Sequence, residues 1–147
     1  MADSDPVCIL VPTLDEAATI ADVVRDFREA GYENVLVVDG GSTDDTQSIA
    51  RDAGARVVEQ TDVGKGQAVR EAVAEHVDSE FVLMLDGDGT YSADDAEAML
   101  DPLRTGSAEH VIGNRFADMR SGAMTVLNRL GNRLINRAFG FIHRESF

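Results

Sequence analysis

Short apolar runs alternate along this chain with longer stretches in which apolar residues recur every three to four positions. Residues 7–11 (VCILV) carry no charge and favour extended backbone, which predicts a strand buried on both faces and stopped by Pro12. Ile20, Val23, Val24 and Phe27 then share one helical face, and Gly31 stands where that helix should end. Residues 35–38 predict a second strand. The polar loop that follows, DGGSTDDT from Asp39 to Thr46, has residues for both a tight turn and a helix N-cap. A helix through Ile49 and Ala53, a strand at 56–59, a loop at 61–66 (TDVGKG) and a helix over 67–77 come next. The stretch 81–91, FVLMLDGDGTY, opens as an apolar run that predicts the central strand, buried on both faces. Ser92 or Asp94 caps a helix running to about Arg104, with Ala96, Met99, Leu100 and Leu103 inward despite Pro102. Residues 110–113 predict a last strand, with Asn114 and Arg115 at its carboxyl end. The order βαβαβαβαβ predicts an α/β fold: a Rossmann-like, mostly parallel, doubly wound sheet with helices on both faces.

The last segment follows a different pattern. Residues 124–141 predict an amphipathic helix with Leu127, Leu130, Leu134, Ile135, Ala138 and Phe141 toward one side. Arg129, Arg133 and Arg137 recur every four residues, as do Asn128, Asn132 and Asn136. Charge sharpens this contrast. The chain carries net −14 with a pI near 4.4, which argues against a nucleic-acid binder. Residues 1–103 hold 6 basic and 24 acidic side chains, whereas residues 104–147 hold 7 basic and 3 acidic. The basic end suits anionic lipid headgroups or a phosphorylated acceptor, and also a merely solvated face.

Aspartate dominates the acid, and Lys65 is the only lysine. Asp-rich, Lys-poor surfaces resemble those of proteins from salt-loving organisms, where screening tolerates self-repulsion. At 147 residues the chain is long enough for one domain with a real core. Cys8 alone excludes an internal disulfide and reads as a buried thiol. No signal peptide and no run of about twenty apolar residues is present. His76, His110 and His143 are scattered and form no ligand set, and Met84 and Met99 read as core filler.

The chemistry concentrates at strand ends. Asp39 ends the second strand, Asp86 and Asp88 end the central one, and Arg115 ends a later one, so all four should converge on one edge of the sheet. Asp86-Gly87-Asp88-Gly89 offers two hard oxygen ligands a short step apart, a set that suits Mg²⁺ or Mn²⁺ on a diphosphate; the same four residues also suit a plain turn. After strand one the sequence reads PTLDEA, not G-x-G-x-x-G, and no G-x-x-x-x-G-K-[ST] occurs. Dinucleotide and P-loop chemistries are thereby excluded.

Taken in order, VPTLDEAATI, VVDGGSTDDT, the GKG loop, LMLDGDGTY and IGNR resemble the family 2 glycosyltransferases of GT-A fold. Within that family they are most similar to dolichyl-phosphate sugar synthases of the haloarchaeal kind. The resemblance covers Val7 to about Ala138 and implies a single GT-A domain over 1–147. Its nucleotide-sugar part would be about 1–115, and its acceptor- and membrane-facing helix 124–141. It implies an inverting transfer of a hexose from a nucleoside-diphosphate sugar to dolichyl phosphate, the first step of archaeal protein N-glycosylation. UDP-hexose is the implied donor, with GDP-mannose next. The cytoplasmic face of the cell membrane is the implied location.

Residue by residue, the resemblance implies that Pro12, Leu14 and Glu16 line the base and ribose pocket and that Asp39 hydrogen-bonds the base edge. Gly41, Lys65 and Gly87 would lie at the nucleotide. Asp88 would bind the metal directly, and Asp86 would contact ribose or metal through water. Arg115, Arg129 and Arg133 would face the acceptor phosphate or the donor diphosphate, with Asp88, Arg115 and Arg129 catalytic. Asp15 stands where many relatives have Asn, a change expected to have little effect. Relatives also continue past the basic helix with a Ser-Gly-aromatic-Arg acceptor loop. Here Phe139-Gly140-Phe141-Ile142-His143 runs straight into Arg144-Glu145-Ser146-Phe147, so that loop, and membrane segments beyond it, are expected to be missing near 143–144. Rival readings are transfer to a sugar hydroxyl, a sugar-1-phosphate nucleotidyltransferase, and a non-catalytic nucleotide- or lipid-binding module.

Overall fold

The structure is a computed structural model that describes residues 6–113. Contacts divide the chain into Met1–Val111 and Ile112–Phe147, and the first unit holds every element described. In chain order these are β1 (Val7–Thr13), α1 (Ile20–Glu29), β2 (Val35–Asp39), α2 (Thr46–Asp52), β3 (Arg56–Glu59), α3 (Lys65–Glu75), β4 (Phe81–Met84) and α4 (Ala96–Arg104), the last entered through a 3₁₀ turn at Ala93–Asp95. The four strands form a parallel sheet in the order β3-β2-β1-β4.

Side-chain alternation along β1 builds two cores. Val7, Ile9 and Val11 face α1, α2 and α4, where Ile20, Val23, Val24, Phe27, Ala50, Ala96 and Leu100 complete a buried cluster. Cys8 and Leu10 face the opposite side, with Leu36, Val38 and the α3 residues Ala68 and Ala72. The four apolar positions expected on α1 are its buried residues, and Met99 and Leu103 pack against the first cluster as expected. Cys8, the sequence's one cysteine, is buried. Among the described residues no helix is long and apolar enough to cross a membrane.

Five expectations need correction. The strand organising the sheet is β1, flanked by β2 and β4, whereas β4 has a ladder partner only on its β1 side among the described residues. Leu83 is its one fully buried residue, and Met84 is 50% exposed rather than core filler. Met84 pairs with Leu10 on the face covered by α3, but that helix lies over β1 and β2. Pro12 does not stop β1, which runs on to Thr13. Ile9 N bonds toward β2 and Leu10 O toward β4, so Pro12, in phase with Leu10, directs its missing N–H past the last β4 ladder pair. The third helix begins at Lys65, two residues earlier than its apolar pattern suggests. Residues 110–113 form no strand: Ile112 is 89% exposed, and a strand exists only through ladder bonds that are not made here. Residues 114–147, including Arg115, Arg129, Arg133 and the basic helix expected at 124–141, lie outside the described residues.

Phe27 is the largest fully buried side chain, its ring tilted against Tyr32 at 6.1 Å. Phe27→Ala should lower the unfolding free energy by about 3–5 kcal/mol, and Phe27→Leu by much less. Denaturant titration in high salt measures both.

Candidate active site

Parallel pairing brings the ends of β1, β2 and β4 to one edge. Thr13 lies opposite Asp39, and Leu85 N continues the β4 ladder onto Leu10 O at 3.1 Å, which delivers Asp86 just beyond. Asp39, Asp86 and Asp88 therefore converge as expected.

Asp39 is 0% exposed and organises the loop after β2. Its Oδ2 accepts from Gly41 N at 3.0 Å, Ser42 N at 2.8 Å and Gln47 Nε2 at 2.8 Å; its Oδ1 accepts from Ser42 Oγ at 2.5 Å. Gly41 turns the chain at φ +89°, a left-handed conformation that suits glycine. Burial alone would raise the Asp39 pKa, but these donors outweigh it and hold the carboxyl below its ordinary value. Oδ1 keeps a lone pair unused by the described residues.

The same loop caps the start of the α1 segment. Ser42 Oγ accepts from Asp15 N at 2.9 Å, Thr46 Oγ1 from Glu16 N at 2.8 Å, and Asp44 Oδ2 from Ala17 N at 3.1 Å. In return Asp15 Oδ1 accepts from Thr43 N at 2.7 Å. Asp15 sits at φ +54°, which Asp and Asn tolerate better than other side chains. Its role is that of an acceptor through one oxygen, a role an Asn carbonyl also fills. These cross-loop bonds fix Pro12, Leu14 and Glu16 beside Asp39. Pro12 is buried, while Leu14 is 58% exposed and offers an apolar face at the edge.

Around Asp86-Gly87-Asp88 each carboxylate has one anchored oxygen. Lys65 Nζ, at the head of α3, pairs with Asp86 Oδ1. Thr90 donates to Asp88 Oδ1 through its amide at 3.0 Å and its hydroxyl at 2.7 Å, which holds the Asp88 carboxyl below its ordinary pKa. Neither Oδ2 has a hydrogen-bond partner among the described residues. Gly87 is buried so closely that a Cβ there would lie 2.3 Å from Glu16 Oε2 and 2.8 Å from Thr13 Cγ2. Two polar atoms in this recess, Glu16 Oε2 and Thr13 Oγ1, are buried without a hydrogen-bond partner among the described residues. Burial, then the charges of Asp88 and Asp86, raise the Glu16 pKa, and Lys65 opposes them.

This donor set fits a divalent cation: hard oxygens, two of them carboxylate oxygens left open, with Asp88 held ionised. Sequence reasoning found the acids but passed over Thr13, Thr19, Gln47 and Thr90. The D-x-T spacing of Asp88 and Thr90 is the one local signal, a side-chain turn onto the amide two residues on. His76 does stand near Glu71 and Glu75, their ligand atoms within 4.8 Å of one another, although Glu71 already accepts from the amide and hydroxyl of Thr61.

Residues 8–142 match the Glycosyl transferase family 2 profile. The chain belongs to glycosyl transferase family 2. Its α/β sheet is that of the GT-A glycosyltransferases, as the solved structures also indicate. Glycosyltransferase AglJ of Haloferax volcanii is 65% identical over 147 residues, 100% of this chain and 48% of that protein. The dolichyl-phosphate hexose transferase of the same organism is 36% identical over 142 residues, covering 94% of this chain and 60% of its own length. This family 2 chain thus spans about half the length of these relatives. The Mycobacterium tuberculosis glucosyl-3-phosphoglycerate synthase in complex with Mn²⁺, UDP-glucose and phosphoglyceric acid superposes with TM-score 0.62 at 27% identity, over 70% of this chain and 40% of that one.

Because the folded-state pKa of Asp39 is lowered, its ionised form stabilises the fold above the ordinary value of 3.8, and that contribution fades as pH falls through this value toward the lowered one. Asp39→Asn should cost roughly 2 kcal/mol at pH 7. The gap between wild type and variant should narrow below about pH 4, as denaturant titrations across pH will read.

Proposed function

We propose that the chain is the donor-binding part of an inverting hexosyltransferase that loads a hexose from a nucleoside-diphosphate sugar, a UDP-hexose first and GDP-mannose next, onto dolichyl phosphate. The observation that carries this reading is the convergence of Asp86 and Asp88, each with an open Oδ2, on the strand edge that also holds Asp39 and Glu16. The likeness to AglJ and to a dolichyl-phosphate hexose transferase supports the acceptor, and a structural neighbour's complex with Mn²⁺ and UDP-glucose supports the donor.

An ionised carboxylate only accepts, so Asp39 Oδ1 selects a base edge that presents an N–H, as uracil and guanine do. Pro12 and Leu14 flank the base, the Glu16 carboxyl lies toward the ribose, Gly41 and Gly87 let the backbone approach the nucleotide, and Lys65 supplies positive charge near the diphosphate. Asp88 would hold Mg²⁺ or Mn²⁺, and Asp86 would contact ribose or the metal through water. When bound, that cation neutralises charge building on the leaving diphosphate.

The acceptor phosphate, its second pKa near 6, is largely dianionic at neutral pH and needs no general base. One of its oxygens bonds to the anomeric carbon from the side opposite the donor diphosphate. The old C–O bond breaks, its electron pair leaves with the nucleoside diphosphate, and the centre inverts. Arg115, Arg129 and Arg133 are assigned to orienting the phosphates. The reaction is placed at the cytoplasmic face of the membrane, where the basic segment meets anionic headgroups, as the opening step of N-glycan assembly.

Label from UDP- and GDP-hexoses should pass to dolichyl phosphate in high salt with Mn²⁺ or Mg²⁺, using the full-length gene product. Asp88→Ala should reduce that rate by ~10²–10³-fold. Donor hydrolysis that needs Asp88, with no lipid product, points instead to a hydroxyl acceptor. Silence with every donor overturns the enzyme reading.

A further inference from the structure

Thr19 has the residue type and the position of an N-cap for α1, yet its side chain caps no amide. The amides at the head of that segment are served from the neighbouring loop by Ser42, Thr46 and Asp44. The Thr19 hydroxyl instead donates to the carbonyl of Gly87 at 2.7 Å, across 68 residues of sequence. Its other approach, to Glu16 O, is 3.4 Å, and a hydroxyl has one proton to give, so the shorter bond holds it. A Cβ placed on Gly89 would lie 3.9 Å from Thr19 Cβ and Cγ2. One side chain therefore bonds to the peptide just before Asp88 and stands near the glycine just after it.

The Gly87 carbonyl belongs to the planar peptide whose nitrogen is that of Asp88, so fixing its direction fixes the backbone from which the Asp88 side chain springs. Thr90 anchors one carboxylate oxygen, and nothing else in the described residues bonds to the Gly87 carbonyl. We infer that Thr19 is a positioning residue, which through the Gly87 carbonyl holds Asp88 in the orientation that receives the divalent cation. This rests on the reading of Asp86 and Asp88 as the metal-diphosphate site. Groups that orient metal-binding side chains from behind change metal affinity by about 10–100-fold when removed.

Thr19→Val keeps the shape and loses the donor, whereas Thr19→Ser keeps the donor and loses the methyl. The readout is UDP binding by calorimetry in high salt as Mn²⁺ is titrated, on the full-length protein, with metal-free Tm measured beside it. Thr19→Val should raise the Mn²⁺ concentration for half-maximal UDP binding by about tenfold, and Thr19→Ser should return it close to the wild-type value. Unchanged Mn²⁺ dependence in Thr19→Val overturns the inference, whether or not its Tm falls. So does a Thr19→Ser protein as weak as Thr19→Val. A wild type without Mn²⁺-dependent UDP binding overturns the donor-site reading and this inference together; wild-type binding matched by Thr19→Val overturns this inference alone.

Discussion

Parallel pairing of β1 with both β2 and β4 is the constraint from which the site follows. Strands running in one direction must all leave the sheet at the same edge, so three separate loops are delivered to one place. β1 is held in the middle by two ladders and two apolar clusters, all seven of its residues are buried, and it ends at Thr13, opposite Asp39. Buried strands of this kind resist local opening more than loops do. The loops inherit that rigidity where they bond to one another. Asp39 spends both carboxylate oxygens on its own loop, and that loop spends Ser42, Asp44 and Thr46 on the next.

Gathering acids at one edge has an electrostatic cost that the arrangement handles by division of labour. Two like charges about 4 Å apart repel by ~1 kcal/mol in bulk water and ~4 kcal/mol at a surface-like dielectric. Asp39 is kept ionised by neutral donors and Asp88 by Thr90, while Asp86 is paired with the one lysine in the chain. Glu16 is left between them, and its pKa rises from burial first and then from Asp88 and Asp86. Such a set is better matched to a cation than to another anion, so a diphosphate would arrive with its metal, and Lys65 would be the one basic side chain among the described residues at this edge able to meet it unaided.

How far this was legible in the sequence varies with the range of the interaction. The face of α1 was readable because burial there repeats with the helical period, and strand β3 because it is short and bounded by turn residues. The convergence of Asp39, Asp86 and Asp88 followed from strand order alone. What failed depended on neighbours: the β4 run looks as apolar as β1, and only the position of α3 over β1 and β2 leaves Met84 exposed. The strand expected at 110–113 had suitable residues but makes no ladder. Pro12 looked like a stop, and only the phase of the ladder shows why it is tolerated. Thr19 was passed over, because its partner is 68 residues away.

The division of charge along the chain now has a physical reading. The described sheet lies within the segment that carries 24 acidic and 6 basic side chains, and basic residues outnumber acidic ones only beyond it. A transferase that moves a hexose from a metal-bound diphosphate to a phosphate acceptor must keep two anions close while one leaves. Putting acids and metal at the donor and arginines at the acceptor lets each anion be held by a different kind of partner. On the proposed reading, the net charge of −14 belongs to the donor half and to the solvent it meets, and the swing to positive after residue 103 belongs to the acceptor.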